Sequence, residues 1–251
     1  MRRVNRIPLL IIFWLAFGGW ISLVPAAAPA KLALVVGNAA YRGANPLTNT
    51  RHDAQDMVAM LKGLGFQVTA VEDATRDQFN LAVKTFVKSL QGTDAMGLFY
   101  YAGHGIQMKG ANYLLPVDAK IEEEWDVQDQ AIALDRLLDG MASGRDKAVN
   151  LVILDACRDN PFAVRGSRST GADRGFARVE PSSGTLVLYA AQPGATASDN
   201  PGGRNGLFTG ELLKVLATPG LQVEEAFKQV AQQVYLTSGS QKQLPWQEGI
   251  I

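Results

Sequence analysis

Residues 149–157, "VNLVILDAC", are the most apolar of the predicted strands, and they end at the only cysteine of the chain. Similar apolar runs occur at 32–37, 66–73, 95–102 and 184–192, with a shorter strand-like piece at 112–119. Stretches with helical spacing lie between them at about 50–65, 75–90, 129–142, 206–217 and 222–237. This alternation predicts an α/β fold in which a mainly parallel sheet of about six strands carries helices on both faces.

Two reactive side chains follow two of the predicted strands. His104 comes just after the run 95–102, in the stretch "LFYYAGHG" (98–105), and Cys157 ends the run 149–157. Because parallel strands point the same way, we expect both residues at the same edge of the sheet. A thiolate attacks as a nucleophile when an imidazole takes its proton.

Cys157 is therefore a candidate nucleophile, and His104 is a candidate general base and acid for it. Flanking glycines give a substrate room to approach His104, and the amides of Gly105 and Cys157 are candidate donors to an oxyanion. The alternatives are an inert buried thiol and a solvated loop histidine.

The other histidine, His52, is expected on the surface of the helix 50–65. With one cysteine and two histidines, no metal-ligand cluster is expected.

Composition narrows the class of protein. The chain has 251 residues, 47% of them hydrophobic and 19% charged, which is typical of a globular domain. Its formal net charge is zero, so no basic surface argues for nucleic acid as a partner.

The N-terminus has the order of a secretory signal peptide. "MRRVNR" (1–6) is basic, 7–24 are apolar, and "PAAAPA" (25–30) offers small residues for cleavage. Residues 1–30 are therefore predicted to be removed on export, leaving a single domain over 31–251 in the periplasm or secreted. The alternative is an uncleaved anchor, which alone would bring the protein to a membrane.

A long loop is predicted immediately after Cys157. Residues 158–183 are rich in arginine, glycine, serine and proline and contain few large apolar groups. Structureless loops of this length inside a compact domain tend to be functional.

These motifs resemble those of the caspase-fold cysteine peptidases, most of all the prokaryotic metacaspase (orthocaspase) branch. "YYAGHGIQ" (100–107) is similar to the histidine motif and "LVILDACRDNPF" (151–162) to the cysteine motif. The resemblance extends from residue 31 to about 240. It implies a three-layer fold and a cysteine endopeptidase with a His104/Cys157 dyad that needs no acidic third member.

The resemblance also implies a specificity pocket. Asp155, two residues before Cys157, and Asp53 in "HDAQDM" match two pocket aspartates of metacaspases. Two carboxylates suit the side chain of arginine or lysine, so peptide or protein substrates with a basic residue at the cleaved bond are expected. The alternative is that Asp53 only caps its helix.

Further expectations rest on the resemblance alone. The loop 158–183 could be self-cleaved, and activation by calcium is conceivable, although the acidic residues near 122–129 form no clear ligand pattern. A monomer is expected. Two rival functions stay open: a non-catalytic interaction or regulatory module with the same fold, and a hydrolase of another amide.

Overall fold

The architecture comes from a computed structural model, which describes residues 30–145, 149–157, 176–193, 195, 197–198, 200, 202–239 and 242–251. For Cys157 it describes the backbone only. The signal-peptide prediction for 1–30 and most of the predicted loop 158–183 lie outside the described residues.

Strands and helices alternate along the first two thirds of the described chain. The strands are β1 (Lys31–Gly37), β2 (Gln67–Glu72), β3 (Met96–Met108), β4 (Ala111–Leu114), β5 (Ile132–Ala133), β6 (Asn150–Cys157), β7 (Thr185–Tyr189) and β8 (Trp246–Ile250). The helices are α1 (Thr50–Gly63), α2 (Arg76–Leu90), α3 (Asp126–Gln130), α4 (Leu134–Ala142), α5 (Leu207–Leu216) and α6 (Val223–Thr237).

The main sheet has the strand order β2-β1-β3-β6-β7-β8. Strands β2, β1, β3, β6 and β7 run parallel, and β8 joins the edge in the antiparallel direction. Helices α1, α5 and α6 pack on one face of this sheet, and α2 and α4 pack on the other. The predicted α/β class with helices on both faces is confirmed.

Continuous apolar strands form because both faces of the central strands are covered. Leu151 and Ile153 of β6 contribute to the core beneath α1, α5 and α6, whereas Val152 and Leu154 contribute to the opposite core. This alternation follows from the two-residue period of a strand. Asp155, another residue of odd number on β6, therefore lies on the same face as Leu151 and Ile153.

Three elements differ from the sequence prediction. His104 was expected just past a strand, but β3 continues through it to Met108, because a tight turn at Lys109 and Gly110 lets β4 pair with the extension. The expected helix 129–142 is divided into α3, β5 and α4. Strand β8 was not predicted, since five residues containing a glutamate and a glycine give a weak strand signal.

In the part of the chain that the structure describes, we find no helix with the length and hydropathy needed to cross a bilayer.

Candidate active site

His104 lies on β3 near the carboxyl edge of the sheet and is buried. Its imidazole Nε2 is 2.8 Å from the carbonyl oxygen of Asn45. Because a carbonyl oxygen only accepts, Nε2 carries the proton of the neutral ring and Nδ1 has the lone pair. This tautomer presents Nδ1 as the nitrogen that can accept a proton.

Tyr41 holds the same histidine from the loop between β1 and α1. The backbone N–H of His104 donates to the Tyr41 hydroxyl at 2.8 Å, and the two rings lie 4.5 Å apart. The Tyr101 hydroxyl donates to the His104 carbonyl at 2.7 Å. Both the backbone and the ring of His104 are therefore fixed by buried partners.

Cys157 and His104 are register partners on neighbouring parallel strands. The sheet therefore brings together the backbones of two residues that are 53 positions apart in the sequence. On β3, the Gly97 N–H donates to the Val149 carbonyl beside β6, whereas the Ala102 carbonyl faces the opposite side, toward Asn38. By this alternation the Gly105 N–H faces β6.

The same alternation holds on β6. The N–H of Asn150 and the carbonyl of Leu154 both face the β7 side of the strand. The N–H of Cys157, at an odd position, therefore faces β3. The amides of Gly105 and Cys157 thus point into the same gap between the two strands.

Phe176 explains why residue 105 is a glycine. A Cβ at Gly105 would lie 2.4 Å from the Phe176 ring. The ring is buried, and the next residue is fixed by hydrogen bonds between the Ala177 backbone and the Asn112 side chain at 2.6 and 2.8 Å. The described end of the predicted loop 158–183 therefore packs against β3 at Gly105 and is hydrogen-bonded to β4 at Asn112.

Asp53 and Asp155 come together around Gly206. A Cβ at Gly206 would be 3.3 Å from Oδ2 of Asp53 and 3.4 Å from Oδ2 of Asp155. Asp53 is 2% exposed, and its Oδ1 accepts a hydrogen bond from the Gly206 N–H at 3.0 Å. Residue Asn49, not Asp53, is the N-cap of α1. The Asp53 side chain therefore does not cap its own helix but accepts a hydrogen bond from the segment before α5.

Asp155 is also held by hydroxyl groups. Its Oδ2 accepts from the Thr209 hydroxyl at 2.6 Å, and the Thr209 oxygen is 2.6 Å from the Tyr100 hydroxyl. Burial, followed by the charges of Asp53 and Asp155, raises the pKa of Tyr100 well above its ordinary value. Tyr100 therefore remains a protonated donor.

An ion pair fixes the loop beside these carboxylates. Arg204 binds Asp56 in a bidentate manner, with distances of 2.8 and 2.7 Å, and Asn205 donates to the same carboxylate at 3.0 Å. The hydrogen bond from Arg204 is the main reason why the pKa of Asp56 lies below its ordinary value. Helix α1 and the residues before α5 are thereby joined one turn away from Asp53.

The structure thus gathers the predicted residues into two adjacent groups on one sheet edge: His104 with Gly105 and the Cys157 backbone, and Asp53 with Asp155. His52 is exposed, as expected. Among the described residues, no group of three or more histidine, cysteine or acidic side chains could hold a metal ion.

Sequence reasoning missed the residues that hold these groups, namely Tyr41, Asn45, Tyr100, Gly206 and Thr209. Each of these residues lies 51 to 153 positions in the sequence from the residue that it contacts, and Asn45 acts through its backbone carbonyl, so no local pattern indicates the contacts. "YYAGHGIQ" (100–107) contains Tyr100, and "GRNGLFTGELL" (203–213) contains Gly206 and Thr209. Neither stretch shows which partner the residue contacts.

Fold and site together define an α/β protein in which a histidine and a cysteine are register partners on neighbouring strands, at the carboxyl edge of a mainly parallel sheet. The chain belongs to the Caspase domain family of peptidases, whose family model matches residues 30–249. Protease-type function and a protein substrate are what this family implies.

Individual relatives agree with this assignment. The chain is 30% identical over 128 residues to the human mucosa-associated lymphoid tissue lymphoma translocation protein 1 and, equally, to its mouse homologue. The match covers 51% of this chain and 15% of the relatives, so the chain spans only a small part of their length. The crystal structure of the Drosophila initiator caspase Dronc superposes with a TM-score of 0.61 at 14% identity, covering 87% of this chain and 79% of that one, which supports the fold.

Proposed function

We propose that the protein is a caspase-like cysteine endopeptidase in which Cys157 attacks the scissile carbonyl and His104 carries the proton. The observation that supports this most is the pairing of Cys157 with His104 in the ladder between β3 and β6. His104 Nε2 is held by the Asn45 carbonyl, so Nδ1 is the nitrogen able to take the thiol proton.

The proposed reaction balances as an acyl transfer. The Cys157 sulfur bonds to the substrate carbonyl carbon while the thiol proton moves to His104. The carbon–nitrogen bond then breaks, His104 returns the proton to the leaving amine, and water hydrolyses the thioester. The amides of Gly105 and Cys157 would stabilise the oxyanion. In a regular parallel ladder, the N–H groups of Gly105 and Cys157 donate to carbonyl groups of the facing strand. The substrate oxyanion would replace those carbonyls as the acceptor at the end of the ladder.

We further propose cleavage after arginine or lysine. The support is the pair of carboxylates, Asp53 and Asp155, whose Oδ2 atoms both lie within 3.4 Å of the place that a Cβ at Gly206 would take. A guanidinium or ammonium group would pair with these two carboxylates, one buried and one half-buried, whereas an aspartate side chain would be repelled. The metacaspase-like branch, the monomeric state and export belong to the same proposal and rest on the sequence.

Fluorogenic peptides ending in arginine, lysine or aspartate test the activity. We expect turnover of the first two, and a loss of about a thousandfold or more in kcat for Cys157→Ala and for His104→Ala, because general base and nucleophile act as a unit. The matched control is His52→Ala, which removes the exposed histidine and should retain full activity.

No turnover of any peptide would contradict the peptidase and favour the non-catalytic module. Equal turnover by Cys157→Ala would exclude Cys157 as the nucleophile and contradict the proposed cysteine peptidase. Cleavage only after aspartate would keep the peptidase and contradict the role of the two carboxylates.

A further inference from the structure

Two fully buried hydroxyl groups connect β3 and α5 to the Asp155 carboxylate. Thr209, on the first turn of α5, and Tyr100, on β3, both have 0% exposure. The Thr209 oxygen lies 2.6 Å from Asp155 Oδ2 and 2.6 Å from the Tyr100 hydroxyl. Burying two hydroxyl groups costs free energy unless each is hydrogen-bonded, so this chain of contacts has a defined role in the fold.

The direction of the hydrogen bonds follows from the acceptor at the end of the chain. A carboxylate only accepts, so the Thr209 hydroxyl donates its proton to Asp155. The Thr209 oxygen can then only accept from Tyr100, whose hydroxyl is the donor. Both donors are neutral, so they orient the Asp155 carboxylate without cancelling its negative charge.

The same helix turn also holds the second carboxylate. Gly206, the N-cap of α5, donates its N–H to Asp53 Oδ1, three residues before Thr209. Asp53 comes from α1 and Asp155 from β6, so neither element alone sets the distance between them. The beginning of α5 is the element that touches both.

We propose that Thr209 and Tyr100 are positioning residues for substrate specificity, which fix Asp155 in the orientation that it needs, together with Asp53, to receive a basic side chain. This inference rests on the proposed function, because it concerns the pocket for arginine or lysine. It adds to that function two residues that do not touch the substrate.

Thr209→Val tests the inference because valine keeps the shape of threonine and removes the donor. Losing a hydrogen bond to a charged group should raise KM for an arginine peptide about tenfold or more. The value of kcat should stay within roughly twofold, since Cys157 and His104 are untouched. Thr209→Ser keeps the hydroxyl and should restore KM, and Tyr100→Phe should raise KM less than Thr209→Val.

The KM-against-kcat split separates positioning from a merely structural role. A variant that only folded poorly would lower the active fraction, and hence the apparent kcat, without changing KM. Thr185→Val is the matched control: Thr185 is also a buried threonine, and it accepts a hydrogen bond from Asn150 at the opposite end of the sheet. It should leave KM unchanged.

Calorimetric binding of an arginine-terminated peptide to Cys157→Ala, with and without Thr209→Val, makes the measurement independent of turnover. Turnover by the unmodified chain with an unchanged KM in Thr209→Val would overturn the inference and spare the proposed function. Absence of both turnover and peptide binding in the unmodified and Cys157→Ala chains would overturn both.

Discussion

At the scale of the residue, Gly206 determines how much space remains between the two carboxylates. Its φ of −54° and ψ of 152° are accessible to any residue, so backbone strain does not require a glycine there. Under the proposed specificity, a methyl group there would occupy space beside both carboxylates that a basic substrate side chain would use.

Gly206→Ala should raise KM for arginine peptides by roughly tenfold, a loss of about 1.4 kcal/mol in binding, because the added methyl group crowds Asp53 and Asp155. The matched control is Gly210→Ala, one turn later in α5, where a Cβ would meet only the Asn205 Cβ at an ordinary 3.7 Å. Alanine there should stabilise the helix by up to about 1 kcal/mol and leave KM unchanged. Steady-state kinetics and urea unfolding measure the two quantities, and equal KM values for the two variants would contradict the assignment.

At the scale of the element, the connection between β1 and α1 carries both Tyr41 and Asn45, which contact His104. Asp73, directly after β2, holds this connection: its Oδ1 accepts from the Ala39 and Ala40 amides, each at 2.8 Å. Its other oxygen pairs with Arg51 of α1. A single carboxylate thereby links β2, α1 and the segment that fixes the histidine.

Acid should loosen this connection. Burial raises the pKa of Asp73, but the hydrogen bonds from Ala40, Ala39 and Arg51 outweigh it and keep that pKa below its ordinary value. A carboxyl whose pKa is lower in the folded state contributes stability above its unfolded pKa of about 4, and that contribution is lost as the pH falls further.

Asp73→Asn should therefore unfold more easily at pH 7 and should lose less stability than the unmodified chain between about pH 5 and pH 2. Asparagine, like aspartate, tolerates the left-handed backbone at this position, where φ is 47°. Urea unfolding across this pH range is the measurement, with Asp129→Asn on the exposed side of α3 as the control. Parallel pH curves for the two variants would argue against the role of Asp73.

At the scale of the whole molecule, the N-terminal segment gives a testable prediction. The basic, apolar and small-residue segments of 1–30 predict cleavage after Ala30, so that a processed chain would start at Lys31, the first residue of β1. Intact mass of the protein recovered from the exporting cell measures this directly. A mass that includes Met1 would contradict the predicted cleavage.

The sheet and the carboxyl-edge location of His104 and Cys157 were predictable, because burial on both faces leaves an apolar run in the sequence of each central strand. The extension of β3 past His104 was not, since it depends on pairing with β4 and not on the apolar run. The likeness to metacaspase motifs singled out Asp53 and Asp155. No sequence pattern showed that Gly206 and Thr209 of α5 meet them, because those contacts exist only in the folded molecule.

Strand β8 has a consequence for aggregation. All five residues of β7 are buried, and among the described residues Trp246–Ile250 pair with the side of β7 that faces away from β6. Without this strand, β7 would present an open, apolar edge with unpaired N–H and carbonyl groups. Such an edge can pair with a second copy of the chain, so β8 protects the sheet against edge-to-edge aggregation.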